Sequence, residues 1–233
     1  MFTKSSSYYD LIYHFKDYKK ESQKIARIIR RMNPRARTVL DAACGTGAHD
    51  RYLKKYFRVD GIDLNRAFLK AAKKKNKAGI YRHADMQSFR LRKRYDAVVC
   101  LFSSIGYLPS LAALKKTLSC FHTHLDPGGI AIIEPWITPG EWKPGSVHLH
   151  TYNGENLKIS RVALTRRKGR KAVITFYYLA AQADGNCRYF TERHITTLFS
   201  VSEILRVIRK SGFRVTYHQG GLIGRGLYIA LKK

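Results

Sequence analysis

Apolar residues recur at helical spacing through "YYDLIYHFKDY" and again through "SQKIARIIRRM", until Asn33 and Pro34 stop the pattern. The spacing predicts one or two amphipathic N-terminal helices. Short apolar strands then alternate with helical segments: "TVLDA", a helix from about Ala48, "VDGID", a helix around "RAFLKAAKKKN", "IYRHA", "DAVVCLF", a helix around "LAALKKTLSCFHTHL", and "GIAIIEP". Such alternation predicts βαβ units on a mostly parallel sheet.

From Trp136 the period changes. "GSVHLHTYN", "LKISRVALTRR", "KAVITFYYLAA" and "CRYFTERHITTLF" alternate apolar with polar residues, and the turn signals "NGEN", "RKGR" and "ADGN" separate them. The pattern predicts an antiparallel sheet inserted after the fifth parallel strand. A helix "VSEILRVIRKSG", closed by Gly212, and two last strands, "FRVTYHQ" and "RGLYIALKK", then resume the core. The expected fold class is α/β. Its expected divisions are residues 1–136 for the N-terminal helices and binding core, 137–200 for the inserted sheet, and 201–233 for the return of the core.

Composition narrows the classes. At 233 residues and 45% hydrophobic content the chain can build one sizeable core. No apolar window approaches the roughly 20 residues that cross a bilayer, and "MFTKSSSYYD" lacks the apolar centre of a signal peptide, so no membrane partner is expected and the cytoplasm is the expected location. Cys44, Cys100, Cys120 and Cys187 form no CxxC pair and no metal-ligand spacing; reduced structural thiols and no metal are expected. The formal net charge of +28 favours an anionic partner, either a phosphorylated small molecule or nucleic acid. The basic residues are spread along the chain, which reads as a solvated surface.

The stretch "TVLDAACGTG" carries the candidate chemistry. An apolar strand ends in Asp41 and breaks into small residues with Gly45 and Gly47, the place where a parallel α/β sheet lets backbone approach a ligand. A dinucleotide fingerprint needs a third glycine where Asp50 stands, and a phosphate-binding loop needs Gly-Lys-Ser/Thr, which is absent.

This stretch resembles the first motif, D/E-x-x-x-G-x-G, of the class I S-adenosylmethionine (SAM) methyltransferases. The resemblance implies a seven-stranded, mostly parallel Rossmann-like methyltransferase sheet and SAM as cofactor. It assigns Asp41, Ala43, Gly45 and Gly47 to the cofactor turn. Asp63, with Leu64 after it, falls where the ribose hydroxyls are held, a task for a carboxylate with two acceptor oxygens. Asp85 and Met86 fall at the adenine, and Leu101 and Phe102 at the pocket wall.

Further blocks, "YYDLIY", "FSSIGYL", "EPW", "HITTLF" and "GRGLYIA", resemble the bacterial enzymes that dimethylate the amino group of a dTDP-linked aminodeoxysugar. That likeness implies Tyr13 beside the sugar amine, Tyr18 at the methionine end of the cofactor, and Arg225 on the nucleotide-sugar. Ser104 and Trp136 are expected near the substrate, Tyr107 with Tyr13 at the amine, and Glu134 at the pocket floor. Methyl transfer from a sulfonium discharges the positive sulfur, so positioning of a neutral amine is expected to dominate. The inserted sheet is the expected homodimer surface, through Val173, Ile174, Phe176 and Tyr178. Two alternatives stand beside this reading: an RNA methyltransferase, favoured by the charge, and a non-catalytic SAM- or nucleic-acid-binding protein. His122, His124, His148, His150 and His194 form no convincing catalytic or metal set.

Overall fold

Residues 2–233 are described by a computed structural model. The chain forms two compact units, one comprising Asp17–Thr138 and Phe199–Lys233, the other the N-terminal residues to Lys16 with Pro139–Leu198. The N-terminal residues, grouped with the core by the sequence reading, therefore cluster with the antiparallel sheet.

The first unit holds α2 (Tyr18–Met32), β1 (Thr38–Ala42), α3 (Asp50–Leu53), β2 (Arg58–Asp63), α4 (Arg66–Lys75), β3 (Tyr81–His83), β4 (Tyr95–Cys100), α5 (Leu111–His124) and β5 (Leu125–Ile133). After the second unit the chain returns with α6 (Val201–Lys210), β10 (Phe213–His218) and β11 (Leu227–Lys232). The strands make one seven-stranded sheet in the order β10-β11-β5-β4-β1-β2-β3. Strands β1 to β5 run parallel, and β11 is antiparallel to both of its neighbours. Each strand needs cover on both faces, so β4 and β5 read as near-continuous apolar runs. One core layer gathers Leu40, Val98, Phe121 and Ile133 with α5 and α6. The other gathers Val39, Val99 and Ile132 with Ile25 and Ile29 of α2. The chain leaves β1 toward β2 on one side and reaches β4 on the other, which places a switch point at the carboxyl end of β1.

The second unit holds α1 (Tyr9–Ile12) and an antiparallel sheet of β6 (Val147–Asn153), β7 (Leu157–Lys168), β8 (Lys171–Gln182) and β9 (Cys187–Thr197), in that order. The predicted first helix shrinks to the single turn of α1. His14 Nδ1 contacts the Leu11 carbonyl at 2.7 Å, and the Asp17 carboxylate accepts from Lys20 N at 2.9 Å to begin α2, so local side-chain bonds cut the periodic run in two. One sheet face packs on this N-terminal segment: Phe2 against Phe176 and His194, Tyr8 against Phe190, Tyr13 against Arg161, and Phe15 against His150. Ile174, Phe176 and Tyr178 are buried there, so they are not the free surface that the alternation suggested. The opposite face leaves Val147, Leu149, Leu179, Tyr189 and Ile195 exposed.

Candidate active site

The turn after β1 coils left-handed, with φ of 65° at Ala43, 55° at Gly45 and 69° at Gly47. The two glycines are needed for different reasons. A Cβ on Gly47 would lie 2.8 Å from the Ala72 side chain, so the close packing of α4 excludes it. A Cβ on Gly45 would meet no protein atom nearer than Phe68 at 4.0 Å, which leaves the space beside that backbone open. Gly45 N donates to Asp63 Oδ2 at 2.8 Å, and Asn65 N donates to Asp63 Oδ1 at 2.7 Å. Each oxygen of Asp63 keeps a second lone pair. The carboxylate is thus fixed by backbone donors at the end of β2, half-buried, and burial holds its pKa above the ordinary range. Leu64 follows it, exposed.

Below this turn lies an acidic pair that the motif does not announce. Asp41 and Asp50 are both buried, and Oδ1 of each finds no donor. Their carboxyls lie within hydrogen-bonding reach of each other, a contact that is satisfied only when one keeps its proton. Burial, and then the charge of Asp50, push Asp41 well up; burial raises Asp50 to about 6. Tyr81 donates its hydroxyl to Asp50 Oδ2 at 2.8 Å.

Asp85 and Met86 occupy the turn after β3. Asp85 Oδ1 accepts from Gln87 N at 2.9 Å, and the Gln87 side-chain amide reaches Oδ2 at 3.2 Å. Met86 is half-buried and packs on the core. Tyr18 opens α2, its ring edge-on to His49 at 4.9 Å, and His49 Nε2 meets the buried Glu21 carboxylate at 2.8 Å.

At the end of β4, Leu101 is buried in the core layer beneath α2. Phe102 and Ser103 then take successive left-handed conformations, φ 49° and 63°, which side chains rarely adopt. Glu134, fully buried, accepts from Phe102 N at 2.6 Å and holds this corner. A single 3-10 turn, Ser104–Tyr107, follows. Ser104 Oγ donates to Leu101 O at 2.8 Å, and Ser103 Oγ to Pro135 O at 2.8 Å. Arg225 reaches this corner from the far end of the chain: Nη1 donates to Ser103 Oγ at 3.2 Å, and the guanidinium lies 5.1 Å from the Trp136 ring centre. The structure therefore brings Ser104, Trp136 and Arg225 into one neighbourhood at the carboxyl ends of β4 and β5. Tyr13 belongs to the antiparallel-sheet unit, where the Arg161 guanidinium lies 4.8 Å from its ring.

The donor set fits SAM. An open glycine turn, a carboxylate with a spare lone pair on each oxygen, and buried acids beneath suit a polyhydroxylated, positively charged molecule. Sequence reasoning passed over Asp50 as a mere missing glycine, and it passed over Tyr81. It also left out Arg161, whose signal was a charge standing in the inward phase of Ile159 and Ala163 on β7.

A family model described as a methyltransferase domain matches residues 39–129, the span from β1 into β5. Fold and turn together define a SAM-dependent methyltransferase. The chain is 37% identical over 226 residues to the dTDP-3-amino-3,6-dideoxy-alpha-D-glucopyranose N,N-dimethyltransferase of Streptomyces fradiae, covering 96% of this chain and 89% of that protein. The crystal structure of DesVI from Streptomyces venezuelae superposes with a TM-score of 0.93 at 33% identity, covering 97% of this chain and 98% of the other. The SAM-bound amino pentose methyltransferase of Micromonospora echinaspora gives a TM-score of 0.88 at 30% identity, over 100% and 98% of the two chains. The chain belongs to the family of dTDP-aminosugar N,N-dimethyltransferases.

Proposed function

We propose that this chain methylates the amino group of a dTDP-linked aminodeoxysugar. The observation that carries the reading is the extent of the likeness: 96% of the chain aligns with such enzymes, both units included. When bound, SAM supplies an electrophilic methyl group on a positively charged sulfur. Asp63 holds the ribose hydroxyls with its free lone pairs, and Gly45 lets the backbone lie against the cofactor. Ala43, Gly47 and Leu64 complete that contact, Asp85 and Met86 take the adenine, Leu101 backs the wall, and Tyr18 meets the methionine end. Arg225, with Trp136 and Ser104, takes the nucleotide-sugar. Tyr13 and Tyr107 orient the amine.

No strong base is required, because an amine that titrates near neutrality is partly unprotonated. Positioning in a water-poor site supplies the rate, and effective molarities for well-oriented groups are worth roughly 7 to 11 kcal/mol. The test is methylation of a dTDP-aminosugar with labelled SAM, beside an arm with bulk RNA. Label in the sugar supports the reading. Label in RNA alone supports the second reading, which the net charge of +28 favours.

We also propose a homodimer through the outer face of the antiparallel sheet, where Leu149, Leu179 and Tyr189 stand exposed. Sedimentation of the parent and of Leu149→Lys tests it, with the variant expected as monomer. Four free cysteines support a reducing, cytoplasmic setting.

A further inference from the structure

Arg161 stands in the middle of β7, 2% exposed, on the sheet face that packs against the N-terminal segment. The Tyr13 ring lies 4.8 Å from its guanidinium and the Phe176 ring 4.7 Å. Stacking of this kind leaves the rim of a planar guanidinium as its route to hydrogen bonds. Neither Nε nor Nη1 has a partner there. Among the described residues no carboxylate pairs with it. Glu192, on the same face, accepts from Lys4 N, Ser5 N and Ser5 Oγ and faces His194 Nε2 at 3.8 Å. The Tyr178 hydroxyl is the polar group that does reach Arg161.

Directly across the strand pair stands His150, in register with Arg161. Its Nδ1 is also buried without a partner, and its ring packs on Phe15 at 5.5 Å. A buried cation with no counter-charge is costly, and replacing such a group by an apolar residue of similar size is often neutral or stabilising. A positive and a neutral nitrogen group thus stand side by side with open hydrogen-bonding capacity and no acid. That arrangement suits an oxyanion, for which guanidinium geometry is matched.

We propose that Arg161, with His150 beside it, forms an anion-binding point in the antiparallel-sheet unit that takes a phosphate oxygen of the nucleotide-linked substrate. The inference rests on the proposed sugar-nucleotide reading. Because the open nitrogens are buried, the arriving anion moves the His150 or Tyr13 side chain aside.

Two measurements decide it. The first follows the His150 imidazole signals of the parent by NMR, assigned with His150→Gln, while inorganic pyrophosphate or dTDP is titrated in. A saturable shift is expected, and no shift at millimolar ligand overturns the proposal. The second uses Arg161→Met. The variant is expected to melt no lower than the parent, to keep SAM affinity and kcat, and to raise KM for the dTDP-aminosugar by about tenfold to a hundredfold, the range of a charge-assisted bond. An unchanged KM in a folded variant sinks the inference and leaves the sugar-nucleotide reading standing. A parent that methylates no dTDP-aminosugar, yet shows the His150 shift with pyrophosphate, sinks that reading and leaves the anion site. If Arg161→Met does not fold, the titration of the parent decides alone.

Discussion

The buried charged groups that lack partner atoms are acids in one unit and nitrogen bases in the other. In the parallel-sheet unit they are Asp41 and Asp50, beneath the glycine turn; in the antiparallel-sheet unit they are Arg161 and His150. The surface gives no hint of this division, since a net charge of +28 spreads over both. Interior charge is set by what must be held: a carboxylate for hydroxyls and a cationic sulfur, a guanidinium for an anion. A sequence total of Lys and Arg therefore describes the solvent side of this protein and says little about either binding surface.

The largest expected effect strikes the acidic side alone. Asp63→Ala removes the ribose acceptors, and Gly45→Val places a branched side chain in open space at a φ of 55°. Each should weaken SAM by at least about a hundredfold, on the order of 3 kcal/mol or more. Calorimetry measures this, and parent-like binding by both variants would mean the cofactor site lies elsewhere. Gly47→Ala sharpens the contrast: its Cβ would crowd Ala72, so its main loss should appear as a lower melting temperature.

Arg225→Ala comes next. It should weaken the dTDP-aminosugar by about 1.5 to 3 kcal/mol, the worth of a hydrogen bond to a charged group, and leave SAM within about twofold. Equal losses for both ligands would remove Arg225 from the substrate side.

The acidic pair gives a smaller, pH-dependent effect. Burial raises Asp50 from an ordinary 3.8 to about 6 in the folded protein, so the folded state holds that proton more tightly than the unfolded chain does. Its contribution is fully present below about pH 4 and is lost as pH rises through about 6. Asp50→Asn should flatten the fall in stability between those values by on the order of 2 kcal/mol. Melting curves across the window check it; an unchanged slope would show that the pair shares no proton.

Tyr13→Phe should have the smallest effect. It removes one hydroxyl but keeps the ring stacked on Arg161, so single-turnover methylation should slow by about tenfold, near 1.4 kcal/mol. An essential base would cost roughly a hundredfold or more. The rise of rate with pH as the substrate amine deprotonates should survive in the variant, and its disappearance would assign Tyr13 to proton chemistry.

Much of this was legible in the chain. The change from helical to alternating period at Trp136 announced the second sheet, because a sheet with one covered face needs period two. "TVLDAACGTG" announced the turn, because a left-handed run beside open space favours glycine. What stayed hidden depends on long-range contact. No local pattern shows that Asp50 would meet Asp41, or that residues 2–16 would cover Ile174, Phe176 and Tyr178. The short α1 was missed for a local reason: Asp17 can extend an amphipathic run or cap the next helix, and spacing alone does not choose.

The 2.8 Å gap between a would-be Cβ on Gly47 and Ala72 bears on how the enzyme can be re-engineered. A library that varies the cofactor turn alone, to admit bulkier transfer groups, would return few folded members with anything but glycine at 47. Varying 47 together with 72 would fare no better, because the Ala72 Cα lies within 2.9 Å of the same point and no residue choice removes it. Room for a larger donor must come from the Gly45 side, where the nearest obstacle is the Phe68 ring and trimming that side chain leaves the backbone in place.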